Sequence, residues 1–509
     1  PGYQVHVDQD SEVIYDAALN QAHSSVNSNK FYRIQLLIDR NENCVVWTRW
    51  GRVGERGASK SMEGLTLMAA MPIFEKKFKD KTGLAWKNRD AAPKPGKYVF
   101  VERNYDSDSD EPAEPSPVKK GAQEHGPVSP APCTLDPPIK SLMELLFNPE
   151  FIAGTMSDLG YDATKLPLGK LSQGTIGRGY QVLKDLWALL DDPSLASSQH
   201  QLPVAKATER LSDLYYSYIP HIFGRSRPPV IGNYLLLKRE VELMDSLTGL
   251  KDADNITKPD VDGGQPIHHL ELCYRRLGLE TMTLVDNGSQ EFHELGQYLV
   301  KTRGETHAVR YQIRDIFRVE RCGECERFEG SRAARQGDAD GDRRLLWHGS
   351  RVSNFGSILS QGLRIAPPEA PANGYMFGKG IYLADMSSKS ANYCCARLSG
   401  GEALLLLCEV ELGGPMLQLL NHDGNAGELA RGKGMASVQG KGAIAPHAWK
   451  DAGCVHPALQ GVTMPDVEAG PPGPSEEKLA GASRELLYNE YVAYDVSQVR
   501  LRYLLRVRM

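Results

Sequence analysis

Three short runs of the chain contain residue types that bind metals or phosphate. Cys322-Gly323-Glu324-Cys325 is a CxxC pair, but a structural zinc site needs four ligands and no second pair follows at a suitable spacing. Gly432-Lys433-Gly434 and Gly440-Lys441-Gly442 combine glycine with lysine but lack the spacing of a phosphate-binding P-loop. We therefore predict no metal site and expect both lysine runs in surface loops.

The candidates for catalytic chemistry lie in the last third of the chain. They are His348, Tyr382, Tyr393 and Glu490. Taken one at a time, each favours a structural interpretation. A lone histidine is more often structural than catalytic, and tyrosines commonly fill cores. A lone glutamate at the start of a strand usually lies on a solvated face. Only the residues around them can give these four a shared function.

Those surrounding residues resemble the signature of the poly(ADP-ribose) polymerase family. The resemblance is carried by Leu345-Leu346-Trp347-His348-Gly349-Ser350, by Gly378-Lys379-Gly380-Ile381-Tyr382 running to Lys389-Ser390-Ala391-Asn392-Tyr393, and by Leu487-Tyr488-Asn489-Glu490-Tyr491. Together they are similar to the family's His-Tyr-Glu set. The family's adenosine-side loop is resembled by Leu363-Arg364-Ile365-Ala366-Pro367-Pro368-Glu369. The sequence as a whole is similar to those of fungal members of the family.

Two further modules extend the resemblance toward the N-terminus. Lys165-Leu166-Pro167-Leu168-Gly169-Lys170-Leu171-Ser172 resembles the family's regulatory helical domain, and Arg49-Trp50-Gly51-Arg52-Val53-Gly54 resembles its WGR domain. Three modules in the family's order cover nearly all of the chain except a linker. The chain is thus identified as a member of the DNA-dependent branch of the family.

Membership implies an enzyme that takes ADP-ribose from NAD, releases nicotinamide, and builds chains on protein acceptors, including itself. The transition state resembles an oxocarbenium ion, so the protein must orient the ribose and stabilise positive charge at the anomeric carbon. The resemblance makes Glu490, His348 and Tyr382 the catalytic residues. Glu490 is expected to bind the ribose hydroxyl, favour the developing cation and polarise the acceptor hydroxyl. NAD is the implied substrate, and no metal is implied.

The resemblance also implies which residues hold the nicotinamide. The Gly349 backbone and the Ser390 hydroxyl are expected on its amide, and Tyr393 is expected to stack on its ring. Tyr382 is expected to pack against the other side of the ring.

The remaining contacts are assigned to the adenosine half of NAD and to the acceptor. His348 is expected to bond the adenosine ribose with Ser350 beside it, and Asn354 and Arg364 lie on the adenosine side. Lys389 is expected to help position the acceptor. The full NAD-binding set is His348, Gly349, Ser350, Asn354, Arg364, Tyr375, Lys389, Ser390 and Tyr393.

Two other functions stay open at this point. The first is a mono-ADP-ribosyl transferase on the same fold, and Glu490 argues against it because chain-building members have glutamate there. The second is a catalytically silent scaffold that binds DNA ends, and the intact set of His348, Tyr382 and Glu490 argues against that. Leu383 and Ser357 depart from the family's usual Phe and Gly, but neither change removes a polar role.

The elements that must position these residues are predicted from periodicity. The first hundred residues contain strand-like runs at 31–37 and 45–50, followed by a helical stretch at Phe74 and Phe78. From about 135 to 253 the chain reads as all-helical. The clearest amphipathic helix is predicted to begin after Ser172, its N-cap, and to end at Asp191-Asp192-Pro193. Further helical faces lie at 211–218 and 237–247.

Beyond about residue 264, short strands predominate, including 380–383, 404–412 and an alternating C-terminus that ends in Leu501, Tyr503, Leu505 and Val507. We therefore predict an α+β multidomain protein. Its domains are a small β-rich WGR domain at 1–102, a disordered acidic and proline-rich linker at 103–132, an all-α regulatory bundle at 133–256, and a mixed α/β ADP-ribosyltransferase domain with antiparallel sheets at 264–509.

Composition limits the alternatives. The 509 residues include 59 basic and 64 acidic ones, for a net charge of -5, so a global basic excess cannot argue for nucleic acid. The first hundred residues have 15 Lys and Arg against 11 Asp and Glu, a small local excess. Nine cysteines are not a small secreted disulfide framework, and no apolar run approaches the ~18 residues of a membrane span. Because the chain starts at Pro1 without Met, we expect an upstream segment.

DNA strand breaks are the expected partner of the WGR domain. By resemblance, such domains hold DNA ends through backbone contacts that are sequence-blind and salt-sensitive. Trp50 and Arg52 are the candidate contacts, although Trp50 could equally fill a core and Arg52 could be an ordinary surface charge. We expect a nuclear enzyme, monomeric without DNA, whose helical domain limits NAD access until DNA binding loosens it.

Overall fold

A computed structural model describes residues 2–103, 105, 132–161, 171–258, 267–335, 341–370, 375–475 and 485–509. Within it the chain forms two compact units. The first comprises residues 1–122, 156–248 and 368–374, and the second comprises residues 123–155, 249–367 and 375–509. The predicted linker at 103–132 lies almost wholly outside the described residues, as does the run from Lys165 to Lys170.

The first unit begins with an antiparallel sheet and one helix, where the sequence predicts strands and a helical stretch. Their bounds are β1 Gln4–Val5, β2 Asp16–His23, β3 Ser28–Ile38, β4 Cys44–Arg52, β5 Ala58–Leu65, α1 Leu67–Thr82 and β6 Val99–Val101. The strand order is β5-β4-β3-β2-β6, and β1 pairs with β3. Helix α1 buries Phe74 and Phe78, which meet the indole of Trp86 edge-on.

The middle of the chain is helical, as its apolar spacing predicts. The helices are α2 Pro137–Leu146, α3 Pro149–Asp158, α4 Gln173–Asp191, α5 Leu195–Ser198, α6 Val204–Tyr218, α7 Tyr234–Thr257 and α8 His269–Arg276. Ser172 caps α4 by accepting a 3.0 Å hydrogen bond from the Thr175 amide, and α4 ends at Asp191, as predicted. Helix α7 contributes residues to both units.

Helix α6 is joined to the N-terminal sheet of the same unit by buried hydrogen bonds. Asn20 of β2 donates to the carbonyl of Tyr216 at 2.8 Å, across 196 positions of sequence. The amide of Ala22 donates to the Ser217 hydroxyl at 2.9 Å. Because unpaired buried polar groups are costly, these bonds fix the register of α6 on β2.

The rest of the chain forms the mixed α/β part of the second unit, and the predicted α+β class is confirmed. Its elements are β7 Leu279–Leu284, α9 Gln290–Lys301, β8 Gln312–Arg321, α10 Glu324–Arg335, β9 Arg343–Gly349, α11 Phe355–Gln361, β10 Ile381–Leu383, α12 Ser387–Ala391, β11 Glu402–Glu411, β12 Leu417–Leu419, α13 Ala426–Gly432, β13 Ser437–Gly440, β14 Ile444–Ala445, β15 Trp449–Asp451, β16 Thr463–Pro465, β17 Gly473–Pro474, β18 Glu490–Ala493 and β19 Val499–Arg508. One sheet runs β15-β16-β9-β11-β19-β8-β7, another runs β10-β18-β13-β12, and β14 pairs with β17.

Strand β19 alternates as predicted, but both of its faces are buried. Its arginines reach Glu409 of β11, with Arg500 Nη2 at 2.7 Å and Arg502 Nε at 3.5 Å from Glu409 Oε2. The polar face is therefore neutralised by buried ion pairing inside the domain. In the described part of the chain, no helix combines the length and the apolar character needed to cross a membrane.

Candidate active site

His348 and Gly349 lie at the end of β9, inside the seven-stranded sheet. Strand β9 pairs with β11, where Leu406 lies opposite His348. The Nδ1 atom of His348 lies 3.0 Å from the carbonyl oxygen of Tyr382. Because a carbonyl only accepts, Nδ1 holds the hydrogen and Nε2 of the neutral ring is the acceptor. Burial lowers the pKa of His348, which favours that neutral form.

Only glycine fits at position 349. A Cβ atom there would lie 2.0 Å from the carbonyl oxygen of Ser390. Ser390, in α12, is itself buried and donates its hydroxyl to the carbonyl of Trp347 at 3.0 Å. The two residues assigned to the nicotinamide amide are therefore adjacent. Tyr393 follows α12 with 48% of its surface exposed.

Tyr382 is held by the turn that precedes its own strand. Its hydroxyl donates to the carbonyl of Gly378 at 2.7 Å and accepts from the amide of Phe377 at 3.0 Å. The ring of Tyr375 lies 5.7 Å away in a stacked orientation. These contacts fix the Tyr382 ring before any substrate binds.

Glu490 begins β18, which lies between β10 and β13. Tyr382 is paired with Val492, two positions from Glu490, so Tyr382 and Glu490 point to the same face of the sheet. The Glu490 side chain is buried, and Lys389 Nζ lies 3.3 Å from its Oε1 atom. Desolvation lowers the pKa of Lys389, and the charge of Glu490 opposes that shift. The structure thus brings together a carboxylate, an amine and a tyrosine.

Asp385 holds the segment around Glu490 in place, and the sequence interpretation missed it. Its Oδ2 atom accepts from Asn489 Nδ2 at 2.7 Å and from the Tyr491 hydroxyl at 3.0 Å. Burial raises the pKa of Asp385. Asn489 and Tyr491 are the residues on either side of Glu490. A signal was present, because Asp385 closely follows Tyr382 in the same motif and is a buried acid.

The adenosine-side residues lie on either side of α11, with Ser350 and Asn354 before it and Arg364 after it. Asn354 Nδ2 donates to Ser350 Oγ at 2.9 Å. Arg364 Nη2 lies 2.9 Å from Asp252 Oδ2 of α7, and the Ser357 hydroxyl donates to the same oxygen at 2.7 Å. Nothing in the sequence pattern indicates this contact, because Asp252 lies in another predicted domain. Ser357, where the family usually has glycine, has a polar role after all.

The described residues contain no group of three or more His, Cys, Asp or Glu side chains that could hold a metal ion. The site offers hydrogen-bond donors, aromatic rings and the buried carboxylates of Glu490 and Asp385. These groups suit the nicotinamide, ribose and adenosine parts of a dinucleotide.

Family models match three consecutive parts of the chain. They are the WGR domain at residues 15–93, the poly(ADP-ribose) polymerase regulatory domain at 133–274, and the poly(ADP-ribose) polymerase catalytic domain at 289–509. The chain is 38% identical over 512 residues to poly [ADP-ribose] polymerase 2 of Arabidopsis thaliana, covering 99% of this chain and 75% of that protein. For the Homo sapiens poly [ADP-ribose] polymerase 2, identity is 38% over 511 residues, covering 99% and 81%. The chain belongs to the poly(ADP-ribose) polymerase family.

As a family member, the chain is an NAD-dependent ADP-ribosyltransferase, and NAD is its substrate. The WGR module and the full-length similarity place it among the poly(ADP-ribose) polymerases that respond to DNA breaks. The family interpretation of the sequence is therefore confirmed. The roles of individual residues stay predictions.

The two candidate DNA contacts differ in their surroundings. Trp50 of β4 is 38% exposed and stacks on Tyr32 of β3, with ring centroids 6.0 Å apart, so it does not fill the core. Arg52 Nη1 donates to the carbonyl of Asn27 at 3.0 Å, and Nη2 donates to the carbonyl of Ser226 at 3.0 Å. Its Nε also donates to the carbonyl of Gly224. The Arg52 guanidinium is thus half-buried, and its nitrogens are hydrogen-bonded to backbone carbonyls.

Proposed function

We propose that this polymerase elongates ADP-ribose chains with Glu490 as its catalytic carboxylate, and that DNA held by the WGR domain increases access of NAD to the site. The observation that carries the catalytic half is the buried Glu490 carboxylate, 3.3 Å from Lys389 Nζ and on the same sheet face as Tyr382. A carboxylate fixed at this point of the sheet can stabilise positive charge that develops beside it.

In the proposed reaction the bond between nicotinamide and ribose breaks with its electron pair going to nicotinamide. Glu490 accepts a hydrogen bond from the ribose hydroxyl and stabilises the positive anomeric carbon. Glu490 also polarises the acceptor hydroxyl, which attacks that carbon and passes its proton to the Glu490 carboxylate. Lys389 and Asp385 hold the Glu490 segment still during both events.

The nicotinamide is proposed to bind where Gly349 and Ser390 meet. A backbone without a Cβ lets the amide approach the Gly349 N–H and C=O groups, and the Ser390 hydroxyl turns from Trp347 to the ligand. Tyr393 and Tyr382 supply ring faces on either side. The neutral His348 ring, with Nδ1 donating to a carbonyl, keeps Nε2 as an acceptor for an adenosine ribose hydroxyl.

We propose that Asp252 restrains NAD binding when DNA is absent. Its carboxylate forms an ion pair with Arg364, a residue assigned to the adenosine side. The Ser357 hydroxyl donates a hydrogen bond that orients the same carboxylate. Because the Arg364 side chain is 42% exposed, the ion pair contributes only about 1 kcal/mol or less. A restraint of that size is a population bias that DNA binding can reverse.

The WGR domain is proposed to contact the DNA end through the exposed Trp50 ring and nearby basic side chains. Arg52 is proposed to join that domain to the loop of residues 224–226 that precedes α7. The protein acceptors include the enzyme itself, and the proposed location is the nucleus, with a monomer in the absence of DNA.

Gel analysis of products from labelled NAD tests the catalytic half of the proposal. We expect the wild type to give a ladder of lengthening chains and Glu490→Gln to give no ladder, with turnover lower by roughly 10²- to 10⁴-fold. A single modified band from the wild type would identify a mono-ADP-ribosyl transferase. No labelled product at all with nicked DNA present would favour the silent scaffold.

A further inference from the structure

The CxxC pair has a geometry suited to disulfide formation. Cys322 lies directly after β8, and Cys325 lies in the first turn of α10. Gly323 between them has a φ of +70 and open space where a side chain would project. Two cysteines with this spacing at the start of a helix have the arrangement of the disulfide oxidoreductases, whose cysteines form a disulfide. Closing this pair therefore needs only a local adjustment.

These two cysteines also differ from the others in accessibility. Of the nine cysteines, all of which lie in the described residues, only Cys322 and Cys325 are exposed. Arg500 Nη1 donates a 3.1 Å hydrogen bond to the sulfur of Cys325, and the same guanidinium lies 5.0 Å above the Phe328 ring. Their exposure makes these two thiols the cysteines that a dissolved oxidant reaches most easily.

The second of the two residues between the cysteines, Glu324, connects them to α11. Glu324 is buried, and its carboxylate accepts from Arg321 Nη1 at 2.8 Å and from the Leu501 amide at 2.9 Å. Arg321 in turn donates to the carbonyls of Leu359 and Ser360 in the last turn of α11, at 2.8 and 2.6 Å. The Arg321 guanidinium thus satisfies carbonyls that the end of a helix leaves unpaired.

That helix end leads to the adenosine side. Gly362 follows α11 with a φ of +79, and a Cβ on it would lie 2.7 Å from Arg321 Nη1. Arg364 comes two residues later. A continuous set of contacts therefore joins Glu324 through Arg321 to the loop that contains Arg364.

We propose that Cys322 and Cys325 are a reversible dithiol–disulfide site that modulates the adenosine side of the NAD pocket. With hydrogen peroxide as oxidant, one thiolate attacks an oxygen to give a sulfenic acid and water. The second sulfur then displaces the hydroxyl as a second water and forms the S–S bond. Two electrons and two protons pass from the thiols to the peroxide, and a dithiol reductant reverses the step. The coupling to NAD rests on the proposed role of Arg364, whereas the disulfide does not.

Peptide mapping tests the disulfide without any need for activity. Trypsin releases residues 322–327, a peptide that contains both cysteines and no other. After graded peroxide treatment of the full chain, we expect this peptide to be lighter by two hydrogens, to resist alkylation, and to recover both thiols with dithiothreitol. A doubly alkylated 322–327 peptide, at peroxide levels that oxidise other cysteines, would overturn the site.

Kinetics on the same samples test the coupling. We expect the disulfide to raise KM for NAD by roughly 2- to 10-fold, the scale of coupling through a packed network, and dithiothreitol to reverse it. Cys322→Ser should be insensitive to peroxide, and Cys454→Ser, which removes a half-buried thiol elsewhere in the same unit, should respond like the wild type. A quantitative disulfide with unchanged KM would overturn the coupling. An inactive enzyme with a complete disulfide would count against the proposed function alone.

Discussion

Asp252 is the single residue whose charge bears most directly on the NAD site. Its carboxylate contacts Arg364 Nη2 at 2.9 Å, and Ser357 fixes it from the other side at 2.7 Å. Asparagine at this position keeps the shape and removes the charge. The ion pair would then be lost while the surrounding backbone stays unchanged.

We expect Asp252→Asn to lower KM for NAD by roughly 2- to 5-fold without DNA, since about 1 kcal/mol corresponds to about 5-fold. The rate at saturating NAD should change little. Initial rates across NAD concentrations provide the measurement. Glu428→Gln, which neutralises an exposed carboxylate on α13, is the control. Equal KM values for Asp252→Asn and the wild type would contradict the proposal that Asp252 restrains NAD binding.

The motif residues could be placed from sequence because they lie close together along three short strands and one helix. His348, Gly349 and Ser390 meet because β9 and α12 are adjacent, and the glycine is required by a backbone oxygen 2.0 Å from the missing Cβ. Asp252 could not be found that way. Its partner Arg364 is distant in sequence, and a helical acid is ordinarily a solvated side chain.

Helix α4 shows what periodicity predicts and what it leaves out. The cap at Ser172 and the end at Asp191 follow from local sequence and are confirmed. Three glycines lie in the first turns of α4, at 174, 177 and 179, and their surroundings differ. Gly177 faces open space, whereas a Cβ at Gly179 would lie 2.9 Å from the Ile219 side chain. Gly179 is therefore a packing residue, which sequence alone does not reveal.

Alanine substitutions separate these two roles. Gly177→Ala should stabilise α4 by about 1 kcal/mol because alanine favours helix where nothing obstructs its methyl group. Gly179→Ala should destabilise the first unit because Ile219 and Met244 would have to move. Amide hydrogen exchange in α4 would measure both changes. Shifts of the same sign in the two variants would contradict this assignment.

Strand β19 also shows that sequence periodicity does not reveal what covers each face of an element. Its alternation was predicted correctly, yet the arginine side is buried against Glu409. A two-residue period identifies two faces but not what covers each one. Only the pairing of β19 with β11 and β8 supplies that information.

At the scale of the whole molecule, α7, like α3, has residues in both compact units. Its last turns contain Asp252, and the loop before it contains two carbonyls that accept from Arg52. Along the chain, α7 therefore links the segment that accepts hydrogen bonds from Arg52 to the residue that pairs with Arg364. This arrangement is the physical basis for the proposed response to DNA.

Variants of the two WGR residues should affect different quantities. Trp50→Ala should weaken binding of nicked DNA, measured by fluorescence anisotropy at several salt concentrations, because Trp50 is exposed. Arg52→Ala should leave that affinity within about 3-fold, since its donors are already bonded, but should lower the rate gained from saturating DNA. If Arg52→Ala lost affinity as strongly as Trp50→Ala and kept full stimulation, Arg52 would instead be a direct DNA contact.

The most direct test of the central claim is the rate of nicotinamide release from NAD, measured for the wild type and Glu490→Gln, each with and without nicked DNA. We predict that the wild-type rate rises with DNA and that the Glu490→Gln rate stays low in both conditions. DNA affinity should be equal in the two proteins, because Glu490 is not in the WGR domain. A Glu490→Gln rate equal to that of the wild type, or a wild-type rate unaffected by DNA, would contradict it.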